Sequence, residues 1–298
     1  DAKPQLSNLA LLQRDNCFAV LHSGSTQSYW DFEVGDGNLT SRFFWPLGGQ
    51  VDGDRLWVFW AAMVHSPSNP GDGILRHPES TWLASYDINT LDRLSFEPAP
   101  NSGASPTYGF AVDSDADYSY LFANTNMLNF TREGGFANGP HSATRMYVGR
   151  VPRGQLDRQP QYWNGTGWSD DPDTAAVISE RFWAENTMQP RLLDGQWVSV
   201  VKRDGFFGGE IVIDTAPDAW GPWTEVERIP YDPTSDEIYK NSYHPVIAPW
   251  SSEDRGLIII VSENAMDWSE AVEHRDVYLP RVIRAEWPTA GTGSRTDG

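Results

Sequence analysis

The sequence predicts an all-β fold and, within that class, a single five-bladed β-propeller. Helix-forming patterns are nearly absent, and 26 Gly and 21 Pro interrupt the 298-residue chain every few positions. The runs between them are short and rich in β-branched and aromatic residues, as in strands. A unit of two apolar strands around a tight turn, followed by a third strand, recurs along the chain, which is typical of propeller blades.

The repeated unit can be followed strand by strand. Its turns are rich in Asp and Gly, and an outer fourth strand is predicted after each of the first three units. The predicted strands, unit by unit, are Phe43–Val51, Leu56–Ala61, Trp82–Tyr86 and Leu94–Glu97; Tyr108–Val112, Tyr118–Ala123, Arg145–Val151 and Gln161–Trp163; Met188–Leu193, Gln196–Val201, Glu210–Asp214 and Thr224–Ile229; and Tyr243–Ala248, Leu257–Ser262 and Val277–Arg284.

Two further predicted strands, Ala10–Gln13 and Phe18–His22, precede the first complete unit. Either they are outer strands of a fifth blade whose inner strands lie upstream of the chain, or they complete the last blade and close the ring. We favour the first interpretation, which makes the chain an N-terminally truncated copy. The propeller domain is expected to span 1–290, with a disordered tail over 291–298.

Two structural alternatives remain at this point. Ser179–Glu185 is the one short stretch that could form a helix. A jelly roll is the main alternative to the propeller, because it also consists of many short strands.

The charge balance disfavours some classes of partner. Asp and Glu total 41 against 22 Lys and Arg, a formal net charge of −19. Such a chain repels nucleic-acid phosphates and anionic membrane surfaces, and no apolar run is long enough for a membrane-spanning helix. The single cysteine, Cys17, excludes a disulfide framework and a Cys-rich zinc site. We expect neither nucleic acid, nor membrane insertion, nor a cofactor.

Aromatic residues are abundant, with 14 Trp, 11 Tyr and 13 Phe. Each buried indole N–H requires a hydrogen-bond partner, so Trp at this density is costly in a core. Sugar rings stack on flat aromatic faces, which favours a carbohydrate ligand for the set. The alternative for any one Trp is that it fills the space between propeller sheets.

Six segments together carry a family resemblance. They are Arg14–Phe18, Phe44–Pro46, Gly53–Phe59, Tyr162–Trp168, Ala216–Trp223 and Tyr239–Pro245. These segments resemble secreted bacterial five-bladed propellers related to glycoside hydrolases that cut arabinan, including the endo-D-arabinanase group (family 183) and family 43. The resemblance runs from about Asn8 to Glu286 and is specific for the fold rather than for an activity.

The resemblance implies an extracellular protein. This chain also departs from its relatives at two places. Relatives often carry an acidic residue after the Trp-Pro pair, where this chain has Leu47, Gly48 and Gly49. They also carry a strand before the segment that matches Asn8, and in family 43 the first blade supplies a catalytic aspartate. On that basis this chain lacks one catalytic carboxylate. Many such propellers hold a central ion, so calcium is compatible with the resemblance.

The candidate site lies where the inner strands begin. Inner strands line the central channel of a propeller, and ligands usually bind at one mouth of that channel. A carbohydrate site needs aromatic planes, amides and carboxylates together. The substrate-binding candidates of these types are Trp45, Tyr108, Asn186, Gln189, Asn241, Tyr243 and His244.

Glycoside hydrolysis requires two carboxyl groups, one acid and one base or nucleophile. Glu185 is the candidate acid, because its aromatic neighbours would favour the neutral form by desolvation. Asp204 is the candidate for orienting it, and Glu263 is a third catalytic candidate. The alternative for each is a loop carboxylate at a blade edge or the partner of an Arg, and for His244 it is a core histidine.

No metal site is predicted from the residues. Asp113–Asp117 matches the start of a calcium loop, but Tyr118 and Asn124 occupy the positions that require Gly and Glu. A polar hairpin turn is therefore preferred there, and the six histidines show no metal-ligand spacing.

The sequence thus predicts a carbohydrate-active propeller, with a polysaccharide or oligosaccharide as partner. The leading hypothesis is a glycoside hydrolase that acts on a furanose-containing polysaccharide such as arabinan. The alternatives are a non-catalytic carbohydrate-binding propeller and a surface interaction protein.

Overall fold

The structure, a computed structural model, describes the chain over 10–14, 17–23, 27–28, 43–65, 76–102, 106–124, 130–131, 135–136, 143–182, 189–203, 209–231, 240–265 and 280–288. Within these ranges the protein is all-β, apart from one 3₁₀ turn at Pro172–Thr174. The same part of the chain contains no helix with the length and hydropathy of a membrane span.

Antiparallel sheets follow one another along the chain. A three-stranded sheet consists of β1 (Ala10–Arg14), β2 (Cys17–Ser23) and β3 (Gln27–Ser28). The first blade consists, from the inside outward, of β4 (Phe43–Asp52), β5 (Arg55–His65), β6 (Arg76–Asp87) and β7 (Arg93–Pro98).

The second blade is the largest of the described sheets. Its path runs through β8 (Thr107–Ser114), β9 (Tyr118–Asn124), β12 (Ala143–Pro152), β13 (Gln161–Trp163) and β14 (Trp168–Ser169). Strand β15 (Ser179–Phe182) also pairs with β12. A small hairpin between β9 and β12 consists of β10 (Phe130–Thr131) and β11 (Gly135–Phe136).

Two further blades follow. The third consists of β16 (Arg191–Leu193), β17 (Gln196–Arg203), β18 (Glu210–Ala216) and β19 (Thr224–Pro230). The fourth consists of β20 (Lys240–Ile247), β21 (Leu257–Ala265) and β22 (Arg281–Ala285).

The predicted propeller class is confirmed, with two corrections. The described residues form four blades rather than five, and the predicted strands near the N-terminus pair with each other as β1 and β2 in a sheet of their own. The segment Ser179–Glu185, the one stretch that could form a helix, is a strand over Ser179–Phe182, because it pairs there with Ala143–Met146 of β12, and residues 183–185 lie outside the described residues. The backbone hydrogen bonds of a sheet edge therefore override the local preference.

Apolar side chains fill the layers between neighbouring blades. Trp57 and Phe59 of the first blade share a buried cluster with Tyr108 of the second. Between the second and third blades, the Trp197 ring meets Tyr120 edge-on, with ring centroids 5.3 Å apart. The layer between the third and fourth blades is aliphatic, and its buried members include Val198, Val200, Ile211, Ile213, Ile247, Ile259 and Val261.

The Trp-rich segments of the second and third blades pack against each other. Trp163 and Trp220 stack with ring centroids 5.0 Å apart and an interplanar angle of 22°. Arg150 places its guanidinium carbon 4.0 Å from the ring centroid of Tyr118 and 4.3 Å from that of Trp168. For these Trp residues the structure shows the packing role that was the alternative to sugar binding.

Polar contacts join the blades at the ends of the inner strands. Asp113 Oδ2 accepts hydrogen bonds from Arg191 Nε at 3.0 Å and from the Leu192 amide at 2.8 Å. Ser114 Oγ donates to Gln50 Oε1 of the first blade at 2.8 Å. The hairpin of the second blade is thereby bonded to both neighbouring blades.

Three inner strands carry a bulge at the same level. The register of β4 shifts between Pro46 and Gly49, that of β8 between Tyr108 and Ala111, and that of β20 between Tyr243 and Val246. A bulge changes the direction of the side chains that follow it and increases the local twist. In β8 the bulge requires glycine, because Gly109 has a φ of +98° and a Cβ there would lie 2.5 Å from the Phe59 ring.

The variant Gly109→Ala tests this bulge. Gly195 provides the matched control, since its φ of +81° is also left-handed but a Cβ there meets nothing within 4 Å. We expect Gly195→Ala to destabilise the fold by about 1 kcal/mol and Gly109→Ala by about 2–4 kcal/mol, because overpacking adds to the backbone cost. Denaturant unfolding measures both, and equal losses would contradict the steric explanation.

Candidate active site at the channel mouth

The starts of the inner strands and the ends of the second strands lie at one edge of the propeller. In the first, second and fourth blades the first strand begins where the antiparallel second strand ends, as the pairs Phe43–Met63, Thr107–Asn124 and Lys240–Ala265 show. The segments that link one blade to the next arrive at the same edge. We call this edge the mouth.

The first blade presents an indole at the mouth. Trp45 is 40% exposed, whereas its neighbour Phe44 is 2% exposed and packs in the core of the blade. Alternation along the strand accounts for the difference, since successive side chains point to opposite faces. Trp45 therefore offers an apolar plane at the start of an inner strand.

Tyr108 begins the inner strand of the second blade, but its side chain is buried. It is 1% exposed and lies against Tyr162, with ring centroids 5.1 Å apart. Burial raises the pKa of its phenol, with smaller contributions from Tyr162 and Tyr147. Among the described residues its hydroxyl has no hydrogen-bond partner. The structure thus places Tyr108 in the layer between blades, and its predicted contact with substrate stays a prediction.

Four of the predicted site residues lie in or next to the third repeat unit of the sequence. Gln189 is half-buried just before β16. Three other predicted residues, Glu185, Asn186 and Asp204, lie outside the described residues. Their catalytic and binding roles stay predictions.

The fourth blade separates its predicted residues onto two faces. Ser242 and Glu263 are cross-strand partners and share the face that carries Ile259 and Val261 toward the third blade. Tyr243 is adjacent to Ser242 and so belongs to the opposite face. The side chain of Asn241 lies outside the described part of the chain, and its binding role stays a prediction. Glu263 was thus predicted with the others but occupies a different surface of the sheet.

Glu263 is a buried carboxylate with defined donors. It is 4% exposed. The Tyr231 hydroxyl donates to Oε1, and Arg281 Nε lies 3.2 Å from the same oxygen. A carboxylate can be buried at tolerable cost only when charged or hydrogen-bonding groups meet it. Sequence reasoning missed Tyr231, which lies 32 residues before Glu263 and outside its repeat unit, and Arg281, which lies 18 residues after Glu263 on the third predicted strand of the same unit.

A buried ammonium group lies in the same layer. Lys202 is 0% exposed and follows Val198 and Val200 on the face of β17 that packs against the fourth blade. A fully buried charge is rare and needs polar neighbours. Lys202 takes the next position on the β17 face that carries Val198 and Val200, where the sequence changes from apolar to charged. This change was the sequence feature that could have identified Lys202.

His244 forms part of the bulge in β20. Its φ is +49°, a left-handed conformation that is uncommon for residues other than Gly. Its ring meets Tyr243 edge-on with centroids 5.1 Å apart. Burial lowers the pKa of His244 to about 4, so the imidazole is neutral near pH 7 and can accept or donate a hydrogen bond.

The Asp-rich turn of the second blade, Asp113–Asp117, is a polar hairpin turn, the interpretation that the sequence favoured over a calcium loop. Asp115 Oδ1 accepts from the amides of Asp117 and Tyr118, each at 2.8 Å, and Tyr120 donates to Oδ2 at 2.7 Å. Burial raises the pKa of Asp115, but these hydrogen bonds and Arg153 outweigh it and hold the value below its ordinary range. Within the described ranges no group of three His, Cys, Asp or Glu could hold a metal ion.

Comparison with known proteins identifies a family and a fold. The family model of a domain of unknown function, DUF5005, matches residues 3–287. Notoamide biosynthesis cluster protein J of Aspergillus sp. (strain MF297-2) is 26% identical over 250 residues, which cover 76% of this chain and 62% of that protein. The chain thus spans about three fifths of that relative.

Solved structures show a likeness in fold alone. A candidate hydrolase of Bacteroides ovatus superposes with a TM-score of 0.60 at 15% identity, over 82% of this chain and 61% of that one. A thermostable family-43 glycoside hydrolase gives a TM-score of 0.47 at 13% identity, over 83% of this chain and 73% of that one.

The low pKa of His244 makes stability depend on pH. In the unfolded chain the imidazole takes up a proton below its ordinary value of 6.5, whereas in the fold it does so only near 4. Stability is therefore fully present above about pH 6.5 and is lost as the pH falls toward 4. We expect His244→Asn, which tolerates the left-handed backbone, to reduce this loss by about 1–3 kcal/mol.

Urea unfolding of both proteins at pH 7 and pH 4.5 measures the effect. Wild type and variant should differ little at pH 7, and the variant should lose less stability on acidification. An identical loss in the two proteins would contradict the assignment to His244.

Proposed function

We propose that this chain, which belongs to the DUF5005 family, is a carbohydrate-active enzyme that hydrolyses glycosidic bonds in a furanose-containing polysaccharide such as arabinan. The observation that carries the proposal is the mouth, where an exposed indole and a buried, hydrogen-bonded carboxylate lie at the same edge of the propeller. The propeller fold shared with a candidate hydrolase is consistent with it.

The proposed chemistry divides the work between aromatic planes and carboxylates. Trp45 would stack on a sugar ring, and Asn241, Tyr243 and Gln189 would hydrogen-bond its hydroxyls. Two carboxyl groups are needed for general acid and base steps. We propose Glu263 as one of them, with Glu185 and Asp204 as the other candidates.

We further propose that β1, β2 and β3 belong to a fifth blade. The first blade carries a large apolar face directed away from the second blade, formed by Phe44, Val58, Trp60 and Tyr86 among others. Propeller sheets bury such faces against a neighbouring blade. We propose as well that the protein acts outside the cell, where polysaccharide substrates occur.

Hydrolysis can be tested with purified protein and a panel of polysaccharides that includes arabinan. Release of reducing sugar should fall by at least about 100-fold in Glu185→Gln, Asp204→Asn or Glu263→Gln if the mutated group is the acid or base. Glu225→Gln is the control, since Glu225 lies on outer strand β19 and contacts Arg228. The proposal fails if wild type releases no sugar from any member of the panel.

A non-catalytic carbohydrate-binding propeller is the second candidate. It is favoured by the neutral residues Leu47, Gly48 and Gly49 that follow Pro46. Calorimetric binding of a polysaccharide without release of sugar would establish it, and Trp45→Ala should then weaken binding.

A further inference from the structure

We propose that Tyr231 and Arg281 are positioning residues that hold the Glu263 carboxylate in one orientation for the reaction. The inference deepens the proposed function and rests on it. It concerns residues that do not begin an inner strand and that contact Glu263 from two other parts of the chain.

The three side chains come from three separate elements. Tyr231 follows β19 in the link to the fourth blade, Glu263 lies near the end of β21, and Arg281 begins β22. Tyr231 is 9% exposed and Glu263 is 4% exposed. The hydrogen bond between phenol and carboxylate is therefore largely removed from water. In such a low-dielectric environment a hydrogen bond is electrostatically stronger than it is in water.

Both donors meet the same oxygen. The Tyr231 hydroxyl donates to Oε1, and Arg281 Nε lies 3.2 Å from Oε1. The terminal torsion of a Glu side chain is broad when nothing restrains it. Two donors on one oxygen remove that freedom, so the direction of the second oxygen, Oε2, is fixed as well.

Tyr231 is itself held at both ends. Its amide donates to the Gly209 carbonyl at 2.7 Å, beside the first residue of β18. Its ring belongs to the aliphatic layer between the third and fourth blades. Because Tyr231 is anchored to the third blade, its hydroxyl fixes the Glu263 carboxylate of the fourth blade relative to the third. A small displacement of a reacting group lowers the reaction rate.

The same chemical pair occurs elsewhere and provides a matched control. Tyr120 is 4% exposed and donates its hydroxyl to Asp115 Oδ2 at 2.7 Å, in the hairpin of the second blade. Replacement of either Tyr by Phe removes one hydroxyl from a carboxylate. Both variants should lose stability to a similar extent, about 5 °C in Tm.

The experiment compares Tyr231→Phe and Tyr120→Phe on the substrate that wild type hydrolyses best. We expect kcat of Tyr231→Phe to fall on the order of 10–100-fold, with little change in KM, while Tyr120→Phe retains the wild-type kcat. Equal kcat values in the two variants and wild type would overturn the positioning role.

A second pair of variants covers the case in which Tyr231→Phe does not fold. The Arg281 side chain is 49% exposed, so Arg281→Gln should fold, and it should lower kcat while Arg281→Lys recovers part of it. Unchanged kcat in Arg281→Gln would again overturn the role. Absence of turnover by wild type would instead overturn the proposed function, and this role with it.

Discussion

Burial of each sheet against its neighbours is the constraint on which this structure depends. A twisted four-stranded sheet has two large faces, and each of the three layers between the described blades is filled by side chains from both sides. Burial of apolar area contributes about 25 cal/mol per Å², so a blade alone would leave much of its stabilisation unrealised. The polar contacts of Asp113 and Ser114 fix the relative position of blades that the apolar layers hold together.

The charged residues at the mouth lie at the ends of those apolar layers. The aliphatic rows of β17 and β21 end in Lys202 and Glu263, where a side chain leaves the core but is still mostly shielded from solvent. Charged groups at such a place need polar neighbours, and Tyr231 and Arg281 meet the carboxylate. The cost of burying charge thus explains why the polar cluster is found there and why its members come from distant segments.

The strands were predictable from sequence because their pattern is local. Strand β13 has its predicted bounds, Gln161–Trp163, and the apolar runs and Asp-Gly turns locate the other predicted strands, although β6 begins at Arg76 rather than at the predicted Trp82. Strand β15 was not predictable, since Ser179–Phe182 has no β pattern and pairs with β12 only in the folded sheet. Likewise, Glu263 could be named from its place after a predicted strand, but its two partners could not. The contact with Tyr231 depends on the packing of the third blade against the fourth, and the contact with Arg281 depends on the register of β22 against β21, which pairs Arg281 with Val261.

The bulge in β20 separates two sets of requirements along one strand. Because the register shifts by one residue between Tyr243 and Val246, the alternation of inward and outward positions before the bulge is independent of the alternation after it. Substitutions near Asn241 can therefore accumulate without altering the packing of Ile247 in the core. Members of a lineage that share this strand could diverge in ligand preference while keeping the same scaffold.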